Sequence, residues 1–339
     1  MGNDQNCKIT MSSRIRLARN LSDFVFPGRI KKDDAFELLR NIKDVFFQSA
    51  EIEKEDYDYI DISKIDPIDK MMLVEKHLVS PELIMEGRPC AAIISKDETV
   101  SIMLNEEDHL RIQCISPSED IDSTLSRCEE LEKVFDKAFQ IAFDPKFGYL
   151  TSCPTNLGTG MRASFMLHLP ALVLSGHIHS VLAACGKIGV AVRGIYGENS
   201  EALGNMFQFS NQGSLGRNEE ETLMAIKNVK SQIIGQEYRL RSDFMKQSET
   251  KFEDRVFRAL GVLSNARILT SEEYMQLWSD VRLGVDMGVI EHVDIKMLDN
   301  MVIQIQPAYI QKMYGRMLNT EERNIQRATF VRQQFTQVG

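Results

Sequence analysis

A polar loop with a cysteine near its start and an arginine at its end is the stretch of this sequence most suited to chemistry. It runs from Thr151 to Arg162 as TSCPTNLGTGMR. Pro154 cannot donate a hydrogen bond to a β-sheet and Gly158 tolerates positive φ, so the backbone must leave the sheet sharply here. The thiol of Cys153 tends to ionise beside cationic groups, and the planar guanidinium of Arg162 suits phosphate. The loop therefore predicts an anionic thiol close to a phosphate-binding arginine.

Two further arginines lie two positions apart near the start of the sequence. In the alternating run Met11–Asn20, Arg14 and Arg16 share one face of a predicted strand, while Ile15 and Leu17 share the other face. Neighbouring guanidinium groups repel each other unless an anion lies between them. The pair therefore indicates a clamp for a polyphosphate. The alternative is an ordinary strand face in solvent.

An acidic turn and a glycine-flanked arginine add more groups of the same kind. The turn Asn105–Asp108 carries three adjacent carboxylates and Arg111 follows it, so a guanidinium could hold at least one carboxylate ionised. Acidic turns are common, however, and the turn alone does not establish a site. The stretch Gly189–Glu198 opens from a strand into a glycine turn around Arg193, which permits a ligand to approach the backbone closely.

These groups require a sheet whose strands bring them together. Alternation and turn residues predict strands at Cys90–Ile94, Val100–Leu104, His109–Ile115, Arg162–Leu169 and Met206–Ser210. Helical spacing of apolar residues predicts helices at Lys31–Phe47, Asp120–Ala142, Pro170–Ile188 and Glu219–Arg241. The sequence therefore predicts an α+β domain over residues 10–241.

The rest of the chain, residues 242–339, is predicted to form a separate all-helical domain. A boundary is expected near Arg241–Lys251, and the pattern beyond it shows no strand and no chemistry of its own. Helices are predicted at Phe252–Leu263, Ser271–Gly284, Ile295–Ile303 and Thr320–Phe335. The default role of such a module is helical packing or dimerisation.

Composition and charge argue against several classes of protein. The 339 residues carry a net charge of −9, which argues against general affinity for nucleic acid or anionic membrane. No apolar run is long enough to span a bilayer, and the first residues lack the apolar core of a signal peptide. The six cysteines are scattered without a C-x-x-C pair, which is typical of reduced thiols in the cytoplasm.

The loop sequence CPTNLGT at 153–159 resembles the signature of the ATP:guanidino phosphotransferases, the creatine and arginine kinases. The sequence NEEDHLR at 105–111 also resembles this family closely. The resemblance covers about residues 10–241. It implies a phosphagen-kinase-type catalytic domain, with a mainly antiparallel sheet flanked by helices. It also implies transfer of the γ-phosphoryl group of ATP to a guanidinium nitrogen.

The resemblance also implies roles for individual residues. Glu107 and Glu198 would be the catalytic carboxylates that grip the guanidinium, with Cys153 beside them. The implied ATP-binding residues are Ser12, Ser13, Arg14, Ile15, Arg16, His77, Arg111, Arg162, Ala163, Ser164, Phe165, Met166, Arg193, Gly194, Ile195, Tyr196, Gly197 and Glu198. Tyr196 departs from the small-guanidino kinases, which often carry arginine there. The Mg²⁺ that accompanies ATP would be held largely by phosphates and water, because the sequence shows no dedicated ligand cluster.

The order of domains resembles one branch of the family, the bacterial protein-arginine kinases. Small-guanidino kinases precede the catalytic domain with a helical domain, whereas this sequence begins almost at Ser12 and carries a helical domain at its other end. The branch phosphorylates arginine side chains in proteins and marks them for the Clp protease, as part of protein quality control and the stress response. The implied partners are proteins with exposed arginines, the Clp machinery, an activating adaptor and a second copy of the chain. The alternatives are a small-guanidino kinase and a non-catalytic phosphoarginine-binding adaptor.

A motif in the helical domain carries a second implied site. The branch has Arg-Asp-x-x-Arg-Ala, which binds phosphoarginine and regulates activity. Here the matching residues are Arg323, Asn324, Arg327 and Ala328. Asparagine at 324 removes the carboxylate that would pair with a guanidinium, so regulation through this motif is not assured. The alternative is an ordinary exposed helix.

Overall fold

A computed structural model describes residues 9–85, 87–117, 119–194 and 202–336, apart from the side chain of Gln247. The strands in this part of the chain are β1 Thr10–Arg19, β2 Tyr57–Asp61, β3 Ala91–Ser95, β4 Val100–Leu104, β5 Leu110–Ser116, β6 Phe143–Asp144, β7 Gly148–Tyr149, β8 Met161–His168, β9 Val190–Gly194 and β10 Met206–Asn211. The helices are α1 Lys32–Gln48, α2 Pro67–Glu75, α3 Pro81–Met85, α4 Ile121–Asp136, α5 Pro170–Leu174, α6 Ile178–Lys187, α7 Glu219–Asn265, α8 Ser271–Asp286, α9 Ile295–Gln304, α10 Pro307–Met313 and α11 Thr320–Thr336. Short 3₁₀ helices lie at Lys54–Asp56 and Leu203–Asn205.

Eight of the strands form one sheet in the order β2-β3-β4-β5-β1-β8-β10-β9. Every neighbouring pair in this sheet is antiparallel. The two-residue strands β6 and β7 form a separate hairpin. Strand β1 lies between β5 and β8, so three strands that are far apart in sequence meet in the middle of the sheet. The predicted α+β class with a mainly antiparallel sheet is confirmed.

One face of the sheet is apolar and is covered by helices. Ile15 of β1 and Ala163 and Phe165 of β8 are fully buried on this face. They share a cluster with side chains from α1, α4, α6 and α7, among them Leu38, Ile42, Leu131, Phe135, Val181, Ile226 and Ile233. Burial of a side chain such as that of Phe165 contributes about 1.5–3 kcal/mol. Because side chains alternate along a strand, this packing also directs the residues between them to the opposite face.

The opposite face is covered at its two ends and carries the polar residues in the middle. At one end, Leu78 and Leu83 pack over Ala92 and Met103 of strands β3 and β4. At the other end, Met166 of β8 packs against the core of the helical domain. The strands between these two covers are β5, β1 and β8. These three strands carry four of the five arginines singled out in the sequence.

Helix α7 belongs to both halves of the chain. It runs from Glu219 to Asn265, with one non-helical residue at Ser248 (φ −154°, ψ 41°). Its first part packs on the sheet core, while Phe252 and Val256 in its second part join the core of the helical domain. The helix therefore passes the expected end near Arg241 by a few residues and is interrupted at Ser248, which lies within the expected boundary Arg241–Lys251. The domain limits of 10–241 and 242–339 stay a prediction.

Three other helices differ from the sequence-based expectation. The helix predicted over Asp120–Ala142 ends at Asp136. The one predicted over Pro170–Ile188 is two helices, because Gly176 adopts positive φ (73°) between them. Helix α10, which is only seven residues long, was not predicted. None of the helices in the described part of the chain combines the length and apolar character required to cross a membrane.

Candidate active site

The predicted arginines gather on the polar face of the sheet. Arg16 of β1 lies directly opposite Arg162 of β8, and Arg14 lies opposite Ser164. Arg111 of β5 is on the same face, because it pairs with Ala18 and residues 14, 16 and 18 alternate to one side. Arg193 of β9 reaches this face through its pairing with β10. Residues from four strands thus meet in one positively charged surface.

The closeness of these guanidinium groups affects the pKa of two of them. Burial and, in decreasing order, the charges of Arg162, Arg111 and Arg193 together lower the pKa of Arg14 to about 10. Burial also lowers the pKa of Arg16 well below its usual value, and the other four arginines add to the effect. In the described ranges no carboxylate forms an ion pair with Arg14 or Arg16. The surface is therefore suited to an anion with several charges, such as the phosphates of ATP.

His77 lies at the edge of this arginine surface. It follows α2 in a left-handed conformation (φ 58°), and its carbonyl accepts a hydrogen bond of 2.8 Å from Nε2 of Gln113. Burial and, to a smaller extent, the charge of Arg14 together lower the pKa of His77 to about 4. The imidazole is therefore neutral at physiological pH. It can approach a nucleotide without adding charge.

Glu107 lies beside the arginine surface on the β4–β5 turn. Its Oε2 accepts a bond of 2.8 Å from Arg111, while Oε1 of the buried Glu106 accepts one of 3.0 Å from the same guanidinium. Burial raises the pKa of Glu107, the charge of Arg111 opposes this shift, and Asp108 and Glu106 reinforce it. The thiol of Cys153, which lies 3.1 Å from Oγ1 of Thr155, is close enough to Glu107 to help lower the pKa of that carboxyl. A carboxylate and a thiol therefore face one another next to the cationic surface.

Asp108 anchors the Cys153 loop to the turn that carries Glu107. One oxygen of Asp108, Oδ1, accepts bonds from the backbone N–H of Ser152 (2.7 Å) and from the amide of Asn20 (2.6 Å). Asp108 and Asn20 are fully buried. The far end of the loop is fixed by Gly158, whose φ is +114° and where a Cβ would lie 2.5 Å from the carbonyl oxygen of Ser214. The position of Cys153 is thus set by contacts at both ends of the loop.

The predicted ATP-binding residues separate into two groups. Ser12, Ser164 and Met166 lie on the face of the arginines, while Arg193 and Gly194 close strand β9. The side chains of the second group point into the opposite, apolar core, so their predicted contact with a ligand would have to be made by the backbone; these are Ser13, Ile15, Ala163 and Phe165. Ser13 bonds Thr124 there at 3.4 Å. The predicted residues Ile195, Tyr196, Gly197 and Glu198 lie outside the described part of the chain.

The second predicted site, in the helical domain, is largely buried. The guanidinium of Arg327 is 1% exposed and donates to the carbonyls of Ile305 (2.7 Å) and Leu269 (2.8 Å) and to Oδ1 of Asn324 (2.7 Å). Ala328 is also buried. In this arrangement neither residue is accessible to a ligand, and the alternative of an ordinary exposed helix does not describe Arg327 either. Arg323 is half-buried and donates to the carbonyl of Leu318.

Sequence reasoning assigned no role to several residues that organise the site. Glu106, Asp108 and Asn20 hold the acidic turn and the Cys153 loop through buried hydrogen bonds. The signal available in the sequence was the run of three adjacent acids, since a buried site rarely tolerates three unless partners neutralise them. Nothing in the sequence indicated that Asn20, which is 88 positions away, would bond Asp108.

Comparisons with known proteins agree with this geometry. Residues 37–240 match the family described as ATP:guanido phosphotransferase, C-terminal catalytic domain. Residues 249–339 match the protein-arginine kinase McsB C-terminal domain. The chain is similar in fold to a lombricine kinase (TM-score 0.61, 22% identity, 72% of this chain and 70% of that one). It is also similar to the duplicated taurocyamine kinase of Schistosoma mansoni (0.62, 21%, 81% and 40%).

Curated relatives are similar over nearly the whole chain. A protein-arginine kinase of Caldanaerobacter subterraneus subsp. tengcongensis is 45% identical over 327 residues, which are 96% of this chain and 97% of the relative. A protein-arginine kinase of Clostridium tetani is 43% identical over 330 residues, or 97% and 96%. Together with the two domain matches and the arginine surface beside Glu107 and Cys153, these similarities lead to one conclusion. The chain belongs to the ATP:guanido phosphotransferases, a family of ATP-dependent kinases, and within it to the protein-arginine kinases.

Proposed function

We propose that this chain transfers the γ-phosphoryl group of ATP to arginine side chains of proteins. The observation that carries the proposal is the cationic surface of Arg14, Arg16, Arg111 and Arg162 directly beside the Glu107–Cys153 pair. The first set suits a polyphosphate and the second suits a planar cation, so the donor and the acceptor of a phosphoryl group would meet between them. The name of the relatives that match nearly the whole chain supports proteins as the substrate.

The proposed reaction needs mainly positioning and charge. The arginine surface binds the phosphates and stabilises the charge that develops as the bond between the γ-phosphorus and the ADP oxygen breaks. Glu107 aligns the acceptor guanidinium so that one nitrogen forms the new N–P bond in line with the bond that breaks. That nitrogen loses a proton, which the carboxylate of Glu107 accepts. Glu198 would be the second carboxylate, and an anionic Cys153 would favour the bound guanidinium.

Magnesium is proposed to accompany ATP rather than to occupy a site made by the protein. Among the described residues, no cluster of three or more His, Cys, Asp or Glu side chains could hold a metal ion. The side chains around the arginine surface are positively charged, and this charge also disfavours a cation site made by the protein there. Bound Mg²⁺ would be held by the phosphates and water and would neutralise part of their charge.

The cellular role is proposed at the level of the family. Phosphorylated arginines would mark proteins for degradation by the Clp protease in protein quality control and the stress response, in the cytoplasm. An activating adaptor and a homodimer are further expected partners, and nucleic acid and membrane are not. Arg323 would contribute to phosphoarginine binding only if the helical domain rearranged to expose Arg327 and Ala328.

Transfer from ATP to an arginine-rich unfolded protein tests the proposal directly. Free arginine and creatine are assayed in parallel, and mass spectrometry locates the acid-labile phosphate. Phosphate on protein arginines alone is the expected result. Phosphate only on a free guanidino compound would instead assign the chain to the small-guanidino kinases. ATP binding without any transfer would favour the phosphoarginine-binding adaptor.

A further inference from the structure

One short segment, which begins at the last residue of helix α2, contacts both the helical domain and the candidate active site. It comprises six residues, Glu75–Ser80, and we call it the α2 link. At its start, the carboxylate of Glu75 is only 8% exposed and accepts hydrogen bonds from the backbone N–H groups of Ala308 (2.8 Å) and Tyr309 (3.2 Å) in α10. A catalytic-domain side chain thus holds the first turn of a helix in the other domain.

The middle of the α2 link reaches the arginine surface. The carbonyl of His77 accepts a bond of 2.8 Å from the buried Gln113, which lies opposite Arg16 on the neighbouring strand β5. The imidazole of His77 is close enough to Arg14 for the guanidinium charge to lower its pKa. The link therefore contributes directly to the edge of the proposed phosphate site.

The end of the α2 link reaches the catalytic turn. The hydroxyl of Ser80 donates a bond of 2.7 Å to Oε1 of Glu106, the same atom that accepts a bond of 3.0 Å from Arg111. The other oxygen of Glu106 accepts a bond of 2.8 Å from the backbone N–H of Glu107. Ser80 therefore supports the residue that orients both a phosphate-binding arginine and the proposed catalytic carboxylate.

The α2 link is held rigidly, so that a movement at one end is expected to move the other end as well. His77 adopts φ 58°, and the N–H groups of Leu78 and Val79 both donate to the carbonyl of Leu73, which closes the end of α2 tightly. Leu78 and Val79 are buried in the small apolar cluster over strands β3 and β4. A shift at Glu75 would therefore move His77 and Ser80 with it.

We propose that Glu75 is a positioning residue through which the helical domain sets the geometry of the ATP site. The inference rests on the proposed function, because it takes the arginine surface as the site of ATP. Glu75 touches no substrate, and its effect passes through His77 to Arg14 and through Ser80 to Arg111. Residues along such a connection can alter coupling by about 0.5–2 kcal/mol, which corresponds to a roughly 2- to 30-fold change in affinity.

Replacing Glu75→Gln in the full chain tests this proposal. The amide keeps the size of the side chain, but it can accept from only one of the two N–H groups of α10 and places its own NH₂ donor against the other. The matched control is Asp69→Asn on the same helix, because Asp69 also contacts α10 but through an exposed pair with Lys312. ATP affinity is measured by calorimetric titration, KM and kcat by transfer to an arginine-rich protein, and melting temperature by calorimetry.

We expect Glu75→Gln to weaken ATP binding about 3- to 30-fold, while Asp69→Asn stays within about twofold of the parent chain. A lower melting temperature with unchanged ATP affinity would mean that Glu75 is only structural, and would overturn the proposal. If Glu75→Gln does not fold, Glu75→Asp is compared in the same way. A parent chain that binds ATP but transfers nothing would overturn the proposed reaction and leave this test intact, whereas one that binds no ATP would overturn both.

Discussion

The arginines of the proposed phosphate site are held against their mutual repulsion. Burial and neighbouring positive charges both lower the pKa of Arg14 and Arg16, so each of these guanidinium groups is less stable in the folded chain than in water. The apolar packing of Ile15 and Phe165 on the other face holds the strands in this register regardless. The folded chain is therefore less stable than it would be without these charges, but its surface can bind an anion.

Substitution of Arg16→Gln should stabilise the free protein and weaken ATP binding at once. Removing one charge relieves the repulsion, so the melting temperature without ATP should rise by about 1–2 °C, the shift expected for ~1 kcal/mol in a chain of this length that unfolds as one unit. The rise in melting temperature on adding ATP should shrink, because one phosphate contact is lost. Thermal scans with and without ATP measure both effects. Arg40→Gln, on the exposed face of α1, is the control, and a destabilised Arg16→Gln would contradict the argument.

Substitution of Glu107→Gln should abolish transfer while sparing ATP binding. The amide cannot accept the proton from the acceptor nitrogen, so kcat should fall by about 10²- to 10⁴-fold. Because burial raises the pKa of Glu107 above its ordinary 4.5, activity of the parent chain should decline as pH falls through that raised value, where the carboxylate becomes protonated. Rate measurements across pH and calorimetric titration with ATP check both points. The exposed Glu130→Gln is the control, and full activity of Glu107→Gln would remove that residue from the mechanism.

Among the elements, the Cys153 loop depends on the acidic turn opposite it. A strand end, a turn and a loop converge on a single oxygen of Asp108, through Asn20 and Ser152. Burial strengthens such contacts and also raises the cost of losing them, since a buried donor without a partner costs about 1–3 kcal/mol. The relative placement of Glu107 and Cys153 is thus decided by a residue that need not touch the substrate.

Substitution of Asp108→Ala should lower kcat more than it raises the KM for ATP. The loop would lose its anchor and Cys153 its fixed distance from Glu107, while the arginine surface would keep its register. Stability should fall by about 1–3 kcal/mol for each unpaired donor. Steady-state kinetics and urea unfolding measure the two effects. Asp144→Ala also deletes a carboxylate that accepts two backbone N–H bonds, but in an exposed turn, and should leave kcat unchanged. An equal loss of kcat in both variants would argue against the anchor.

Local sequence patterns predicted most helices and strands of this fold. The remaining features depend on contacts between residues that are far apart in the sequence, which local patterns do not reveal. Alternation in β1 and β8 correctly placed Arg14, Arg16 and Arg162 on one face, because the strand period leaves no other choice. The same alternation places Ile15 and Phe165 on the apolar face, away from the arginines. The family resemblance nevertheless implied that these two residues also contact ATP. Neither the pattern nor the resemblance could reveal the α2 link, since its partners in α10 lie more than two hundred positions away.

On the scale of the whole molecule, a buried ionic network joins the sheet to the helical domain. His168, at the end of β8, accepts a bond of 3.2 Å at Nδ1 from Arg282 and so donates from Nε2 to the hydroxyl of Ser279 (2.7 Å). Arg282 and Arg241 both pair with Asp286, at 2.8 and 3.2 Å. Burial lowers the pKa of His168 well below 6.5, and the charges of Arg282 and Arg241 lower it further. His168 is therefore neutral in the folded chain.

The stability of the chain should depend on pH partly through His168. As pH falls below about 6.5, the unfolded chain binds a proton at His168 that the folded chain does not, so the free energy of unfolding decreases by up to about 1.4 kcal/mol per pH unit. The variant His168→Gln can keep both hydrogen bonds, and its free energy of unfolding should fall less steeply between pH 6.5 and 5. Urea unfolding at several pH values checks this. Ser279→Ala should be less stable at every pH with the parent slope, and an unchanged slope in His168→Gln would exclude this role.

Helix α7 has a consequence for how the molecule can be divided. The helix contributes side chains to two cores, and Arg241, at the edge of the predicted catalytic domain, pairs both with Glu237 of its own helix and with Asp286 in the other half. A fragment that ends at Arg241 would keep Glu107, Cys153 and the arginines of the proposed phosphate site, but it would expose an apolar face and remove Asp286 from its contact with Arg241. Calorimetry of the full chain should accordingly show one cooperative transition, with equal calorimetric and van't Hoff enthalpies. The two regions that the sequence predicts as separate domains would then fold and unfold together, as a single cooperative unit.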